Sequence, residues 1–149
     1  MPASPANPHV DPELCAVLAL GGLKPLHLGG RELLPIVQGG TGVGISAHRL
    51  AGSVAALGGV GTISSVDLRQ HHPDLLERTL AVGQNDATKA VVDAANLEAL
   101  AREIAAAREL AQGRGLLAIN VMRAVGEYAP SVTKALECGI DAVVVGAGL

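Results

Sequence analysis

Aromatic residues are almost missing: the 149-residue chain has one Tyr and neither Phe nor Trp. A core without large rings must be filled by aliphatic side chains, and a surface without them lacks the stacking platforms that hold single-stranded nucleic acid. There is no basic excess either. Eleven Lys and Arg against 14 Asp and Glu leave a net charge of −3, which gives a phosphate backbone nothing to bind. These two shortages exclude nucleic acid as a partner. Cysteine is equally sparse: Cys15 and Cys138 stand far apart, outside any CxxC or Cys/His spacing. That excludes a disulfide framework and a zinc site, and it fits a reducing compartment. Long apolar runs are lacking too. Leu14 to Leu20 is too short to span a bilayer, and no Lys or Arg precedes it as a signal peptide requires. The expectation is a soluble, cytoplasmic protein without a membrane partner.

What is present in quantity is aliphatic carbon and glycine: 49% of residues are hydrophobic and 19 are Gly. The length suffices for one domain with an Ala-, Val- and Leu-filled α/β core. Glycine concentrates in Gln38-Gly-Gly-Thr-Gly-Val-Gly-Ile-Ser46, between an apolar run at Leu34–Val37 and an amphipathic run. Leu34–Val37 reads as a buried strand, Ser46 as the N-cap of a helix, and Leu50, Val54 and Leu57 as its buried stripe. A strand, a glycine loop and a helix N-terminus form a common cradle for an anion or cofactor. Gly39, Gly44 and Ser46 match the P-loop spacing, but Ile45 occupies the position of its essential lysine. Gly42, Gly44 and Ala47 match the dinucleotide fingerprint, with Asp67 about 20 residues further on, yet Gly39–Thr41 separate the motif from its strand. A loop whose glycines merely allow close packing is the third reading.

The rest of the chain alternates. Residues 1–22 read as a tail and lead-in, and Leu26–Leu28, Gly29-Gly30 and Arg31–Leu33 as a small hairpin. Gly58-Gly59 ends the first helix and Val60–Ser64 is a second strand. From Val66 to about Ala95 the pattern is mixed, with turns at His71-His72-Pro73 and Gly83–Asp86 and a short helix from Pro73 to Ala81. Leu97, Leu100, Ile104, Ala107 and Leu110 then mark a helix closed by Gly113. Leu116–Ile119 extends as a strand to Met122, Ala129–Cys138 is a helix, and Ala142–Gly146 is the last strand. Two-sided apolar strands alternating with helices imply a parallel sheet. An open doubly wound sheet and roughly half of a (β/α)₈ barrel both fit this order.

Taken together, Pro35-Ile-Val-Gln-Gly-Gly40, Gly58-Gly-Val-Gly-Thr-Ile-Ser64, Ala118-Ile-Asn-Val121 and Ala135-Leu-Glu-Cys-Gly-Ile-Asp-Ala-Val-Val-Val-Gly-Ala-Gly148 resemble the nitronate monooxygenase (2-nitropropane dioxygenase) family. The pattern is also similar to FMN-dependent enoyl reductases. The resemblance covers about Leu23 to Leu149. It implies an α/β fold of parallel (β/α) units forming roughly the first half of a TIM barrel, with residues 23–149 a partial FMN-binding domain truncated after its fourth strand. It implies FMN as cofactor, contacted by Gly39, Gly40, Thr41 and Asn120, and an alkyl nitronate and O₂ as reactants. Thr41 stands where family members carry Met. The family's catalytic histidine and its phosphate-holding loops fall beyond the fourth strand, so the resemblance assigns no catalytic residue before Leu149 and makes the chain an incomplete, weakly active or inactive portion. Exposed half-barrel edges imply self-association. No metal site is expected, since adjacent His71 and His72 diverge in direction. His48 and Arg49 read as solvated surface and Asp67 as a turn residue.

Overall fold

The computed structural model describes residues 10–80 and 86–148. The tail from Met1 to His9 and the turn residues Gly83, Gln84 and Asn85 lie outside the described residues. Asp11 opens helix α1 (Pro12–Leu20): its carboxylate accepts the N–H groups of Glu13 and Leu14 at 3.0 and 3.1 Å, and Pro12 supplies a preset φ at the first turn. The lead-in is therefore partly helical. Strands β1 (Leu26–Leu28) and β2 (Arg31–Leu33) form the expected antiparallel hairpin, joined by Gly29 and Gly30, both at positive φ.

The first core strand is shorter than its apolar run suggests. Leu34–Gln38 makes a single bridge, Val37 to Val60, flanked by bonds from Val60 N–H to Ile36 and from Gln38 N–H to Val60 at 2.9 Å each. Pro35 donates nothing, and Ile36 N–H turns back to Leu34. Helix α2 (His48–Ala56) leads to β3 (Val60–Ser64), a 3₁₀ turn (Leu68–His71), α3 (Pro73–Leu80), α4 (Asp86–Ala111), β4 (Leu116–Met122), α5 (Tyr128–Glu137) and β5 (Ala142–Gly146). The mixed region before Ala95 is thus less irregular than its composition implies, because α4 already begins at Asp86.

Strands β3, β4 and β5 pair in parallel and in chain order, with Ser64 opposite Asn120 and Asn120 opposite Val144. The bridge at Val37 places the Ile36–Gln38 segment on the free side of β3. Alternate side chains divide the sheet into two faces. Ile63, Leu117, Ile119 and Val121 meet Ala51 and Ala55 of α2, Leu100, Ile104 and Ala107 of α4, and Ala135 of α5 in one buried cluster. Val60, Leu116 and Ala118 lie on the other face with Leu33 of the hairpin. Helices α2, α4 and α5 therefore share one side of the sheet.

Helix α2 does not bury the stripe its sequence advertises. Ala51, Gly52 and Ala55 face inward while Leu50 and Leu57 are 43% and 45% exposed. The cause is close approach: a Cβ on Gly52 would lie 2.7 Å from Leu110 Cβ, and one on Gly61 would enter the Ala51 carbonyl. Small residues let α2 rest directly on α4 and β3, and larger ones are turned outward. No helix among the described residues is long and apolar enough to cross a membrane.

Candidate functional site

The glycine loop passes over the C-terminal edge of the sheet. Gly40 is its closest point to the strands, since a Cβ there would collide with Asn120 Cβ and stand 3.0 Å from Asn120 Cγ and 3.3 Å from Thr62 Cγ2. Only glycine fits. Gly39, by contrast, is exposed with open space where a Cβ would be. Thr41 is exposed, its N–H held by Ser46 Oγ at 2.9 Å and its C=O by Ser46 N–H at 3.0 Å. Asn120 is half-buried on β4, and its backbone C=O accepts from Ser65 at 3.0 Å. Of the four residues assigned to a cofactor, the fold thus brings Gly40 and Asn120 into contact, holds Thr41 beside them, and leaves Gly39 at the outer rim.

Among the described residues, neither the N–H nor the C=O of Gly40 nor the side-chain amide of Asn120 has a hydrogen-bond partner. Thr62 Oγ1, on the same face of β3, is fully buried and also unpartnered. Gly40 and Asn120 are partly open to solvent, so their free donors and acceptors, beside a glycine-only contact and the buried Thr62 hydroxyl, are accessible to a ligand and have the chemistry of a binding edge.

Ser46 is not the N-cap of α2. That position belongs to Ala47, which offers no side-chain bond. Glu103 of α4 substitutes: its carboxylate, 1% exposed, accepts His48 N–H at 2.7 Å and lies 2.7 Å from His48 Nδ1. His72 Nε2 stands 3.1 Å from the other carboxylate oxygen, a close contact without hydrogen-bond geometry. His48 is accordingly part of a buried polar cluster and not free surface. A signal existed, since Glu103 interrupts the apolar face that Leu100, Ile104 and Ala107 define. His71 points elsewhere, its Nε2 bonding to Gly44 C=O and tying the loop to the 3₁₀ turn. Asp67, at φ 52°, precedes that turn and pairs with Arg69.

A cavity of about 320 Å³ opens nearby on the helix side, lined by Ser65, Asp67, Asp93, Asn96, Glu127 and Tyr128 among others. Its carboxylates are engaged: Lys89 bridges Asp93 and Glu127 at 2.7 Å each. Hydrogen bonds to Asp93 and Glu127 hold the Lys89 ammonium well above its ordinary range, and the Lys89 bond holds Glu127 below its own. The unpaired groups are at Gly40 and Asn120 instead. The chain matches no protein-family model and no curated protein.

Proposed function

We propose that the chain forms the flavin-facing part of an FMN-dependent oxidoreductase of the nitronate monooxygenase type, built as roughly the first half of a TIM barrel. The observation that carries this is the meeting of Gly40 and Asn120, with the Gly40 N–H and C=O and the Asn120 side-chain amide unused. Each supplies a donor and an acceptor, which suits a planar heterocycle whose edge alternates carbonyls with an imide N–H, as the flavin ring does. The sheet supports it: parallel strands in chain order with the helices on one face are what a barrel requires, and barrels bind ligands at the C-terminal ends of their strands. A dinucleotide sheet reverses strand order at its binding crevice. The described strands show no reversal, and Asp67 is committed to Arg69 rather than offered to a ribose.

FMN, when bound, supplies the exchange of electrons with an alkyl nitronate and with O₂. The chain's own residues bind and orient: Gly40 and Asn120 hold the polar edge of the ring, the rim at Gly39 and Thr41 covers it, and Thr62 Oγ1 offers a further buried acceptor or donor. No catalytic base is assigned to this chain. An enoyl reductase of the same cofactor and fold is the neighbouring reading, and a non-catalytic, self-associating half-barrel is a third, favoured by the exposed Val37, Val144 and Val145 at the sheet edges. The test is an FMN titration of the ¹⁵N-labelled chain, followed by O₂ uptake with an alkyl nitronate against NADH oxidation with an enoyl thioester. Weak binding that shifts the Gly40 amide and the Asn120 side-chain amide is expected. No shift at either position in millimolar FMN would sink the flavin reading.

A further inference from the structure

On either side of the free Gly40 groups, the Gly39 C=O and the Thr41 N–H and C=O are taken, the first two of these by one side chain. Ser46 is 1% exposed. Its hydroxyl accepts from Thr41 N–H at 2.9 Å and from Gln38 Nε2 at 3.0 Å, and donates to Gly39 C=O at 3.2 Å. One donor and two acceptor sites are all a hydroxyl has, so its capacity is filled. The backbone of Ser46 completes the ring, donating to Thr41 C=O at 3.0 Å and accepting from Ser64 N–H at 2.9 Å. Gln38 anchors this assembly to the sheet: its Oε1 accepts from Thr62 N–H at 2.8 Å while its Nε2 also reaches Gly39 C=O. A serine just before a helix would ordinarily cap it. Here Glu103 holds His48 N–H, and the Ser46 hydroxyl is released to the loop.

We propose that Ser46, backed by Gln38, is the positioning residue of this site: it fixes Gly39–Thr41 so that Gly40 presents its N–H and C=O beside the Asn120 amide. The role rests on the flavin reading for the identity of the ligand and on the hydrogen-bond ring alone for the geometry. It is tested on the full chain and its Ser46→Ala and Ser46→Thr variants by two measurements, amide hydrogen exchange and FMN titration followed at Gly40 and Asn120. In Ser46→Ala, exchange at Thr41 N–H accelerates by about tenfold or more and the FMN dissociation constant rises by a similar factor, the scale of one lost hydrogen bond. Amides of β3 and β4 keep their protection, and Ser46→Thr restores both values. Gln38→Glu keeps the acceptor toward Thr62 but loses the donor toward Ser46; it is the milder second variant and moves both readouts in the same direction. Unchanged Thr41 exchange and FMN affinity in Ser46→Ala, or loss of protection throughout the sheet in both variants, would overturn the proposal. If the unaltered chain shows no shift in millimolar FMN, the flavin reading fails and exchange decides alone. Acceleration confined to the loop then sustains the positioning role, and unchanged exchange removes it.

Discussion

A methyl group at position 40 has nowhere to go, whereas one at position 39 meets open space. The two neighbouring glycines therefore separate backbone freedom from close approach. Gly40→Ala forces the loop off Asn120 and Thr62 and is expected to cost about 1–3 kcal/mol, the usual scale of overpacking. Gly39→Ala, whose φ lies outside the left-handed region, is expected to change stability by less than about 0.5 kcal/mol. Urea denaturation of both variants checks this, and equal effects would mean that the Gly40–Asn120 contact is not made. Sequence reasoning names Gly40 and Asn120 separately, and that they touch each other is visible only in the fold. The role of Ser46 was not legible, because a serine between a loop and a helix reads as an N-cap unless another residue takes the helix N–H. Glu103, which takes it, is 55 positions further along the chain, and no local pattern links the two.

That distant cap makes α2 and α4 one unit. The small face of α2 rests on α4, and the Glu103 carboxylate closes its N-terminus. Glu103→Ala removes the cap and strands the His48 N–H and Nδ1 that bond to it, an expected loss of about 2–4 kcal/mol. Glu103→Gln keeps an acceptor for His48 N–H and is expected to lose roughly half as much. Chemical denaturation decides, and an Ala variant as stable as the parent would discard the capping role. Helices α3 and α4 are joined differently, by an exposed network in which Arg102 bonds to Asp74 and Glu98 and Arg78 bonds to Glu98. The Arg102 hydrogen bond holds Asp74 below its ordinary 3.8, and Arg78, then Arg102, hold Glu98 below 4.5. A carboxylate whose folded pKa is depressed contributes stability above its unfolded value and loses it as pH falls through the folded one. Thermal melts from pH 6 downward are therefore expected to show stability falling once pH drops below about 4.5, less steeply in Arg102→Ala. Parallel curves for the two proteins would show that solvent screens these pairs completely. At this scale the sequence was most readable where apolar residues form unbroken runs: β3, β4 and β5 match their expected spans. It misled where burial depends on a neighbour, as in α2, whose leucines face out because α4 comes too close for them.

For the molecule as a whole, the sheet has two open edges among the described residues, β5 and the Ile36–Gln38 segment. Val144 and Val145 of β5 are 42% and 47% exposed, and Ile36 and Val37 are 43% and 58% exposed. Unpaired strand edges carrying apolar side chains are templates for further strands. Parallel order was legible from strand–helix alternation, but whether the sheet closes was not, since closure is a property of edges rather than of any segment. Both edges run parallel to their neighbours, so β5 of one copy can continue into the Ile36–Gln38 segment of another without reversing direction. Two copies joined at both junctions would form a ring related by a twofold axis along the strands. The isolated chain is accordingly expected to sediment as a dimer or larger species. Val144→Lys places a charge on an exposed edge position facing away from the helices and is expected to shift the chain toward monomer, with a melting temperature that no longer rises with protein concentration. Sedimentation across a concentration series separates the outcomes: a parent chain monomeric at every concentration would show that these edges do not associate. A Val144→Lys variant that remains dimeric would place the contact elsewhere, with the exposed Val17 and Leu20 of α1 as the next surface to alter.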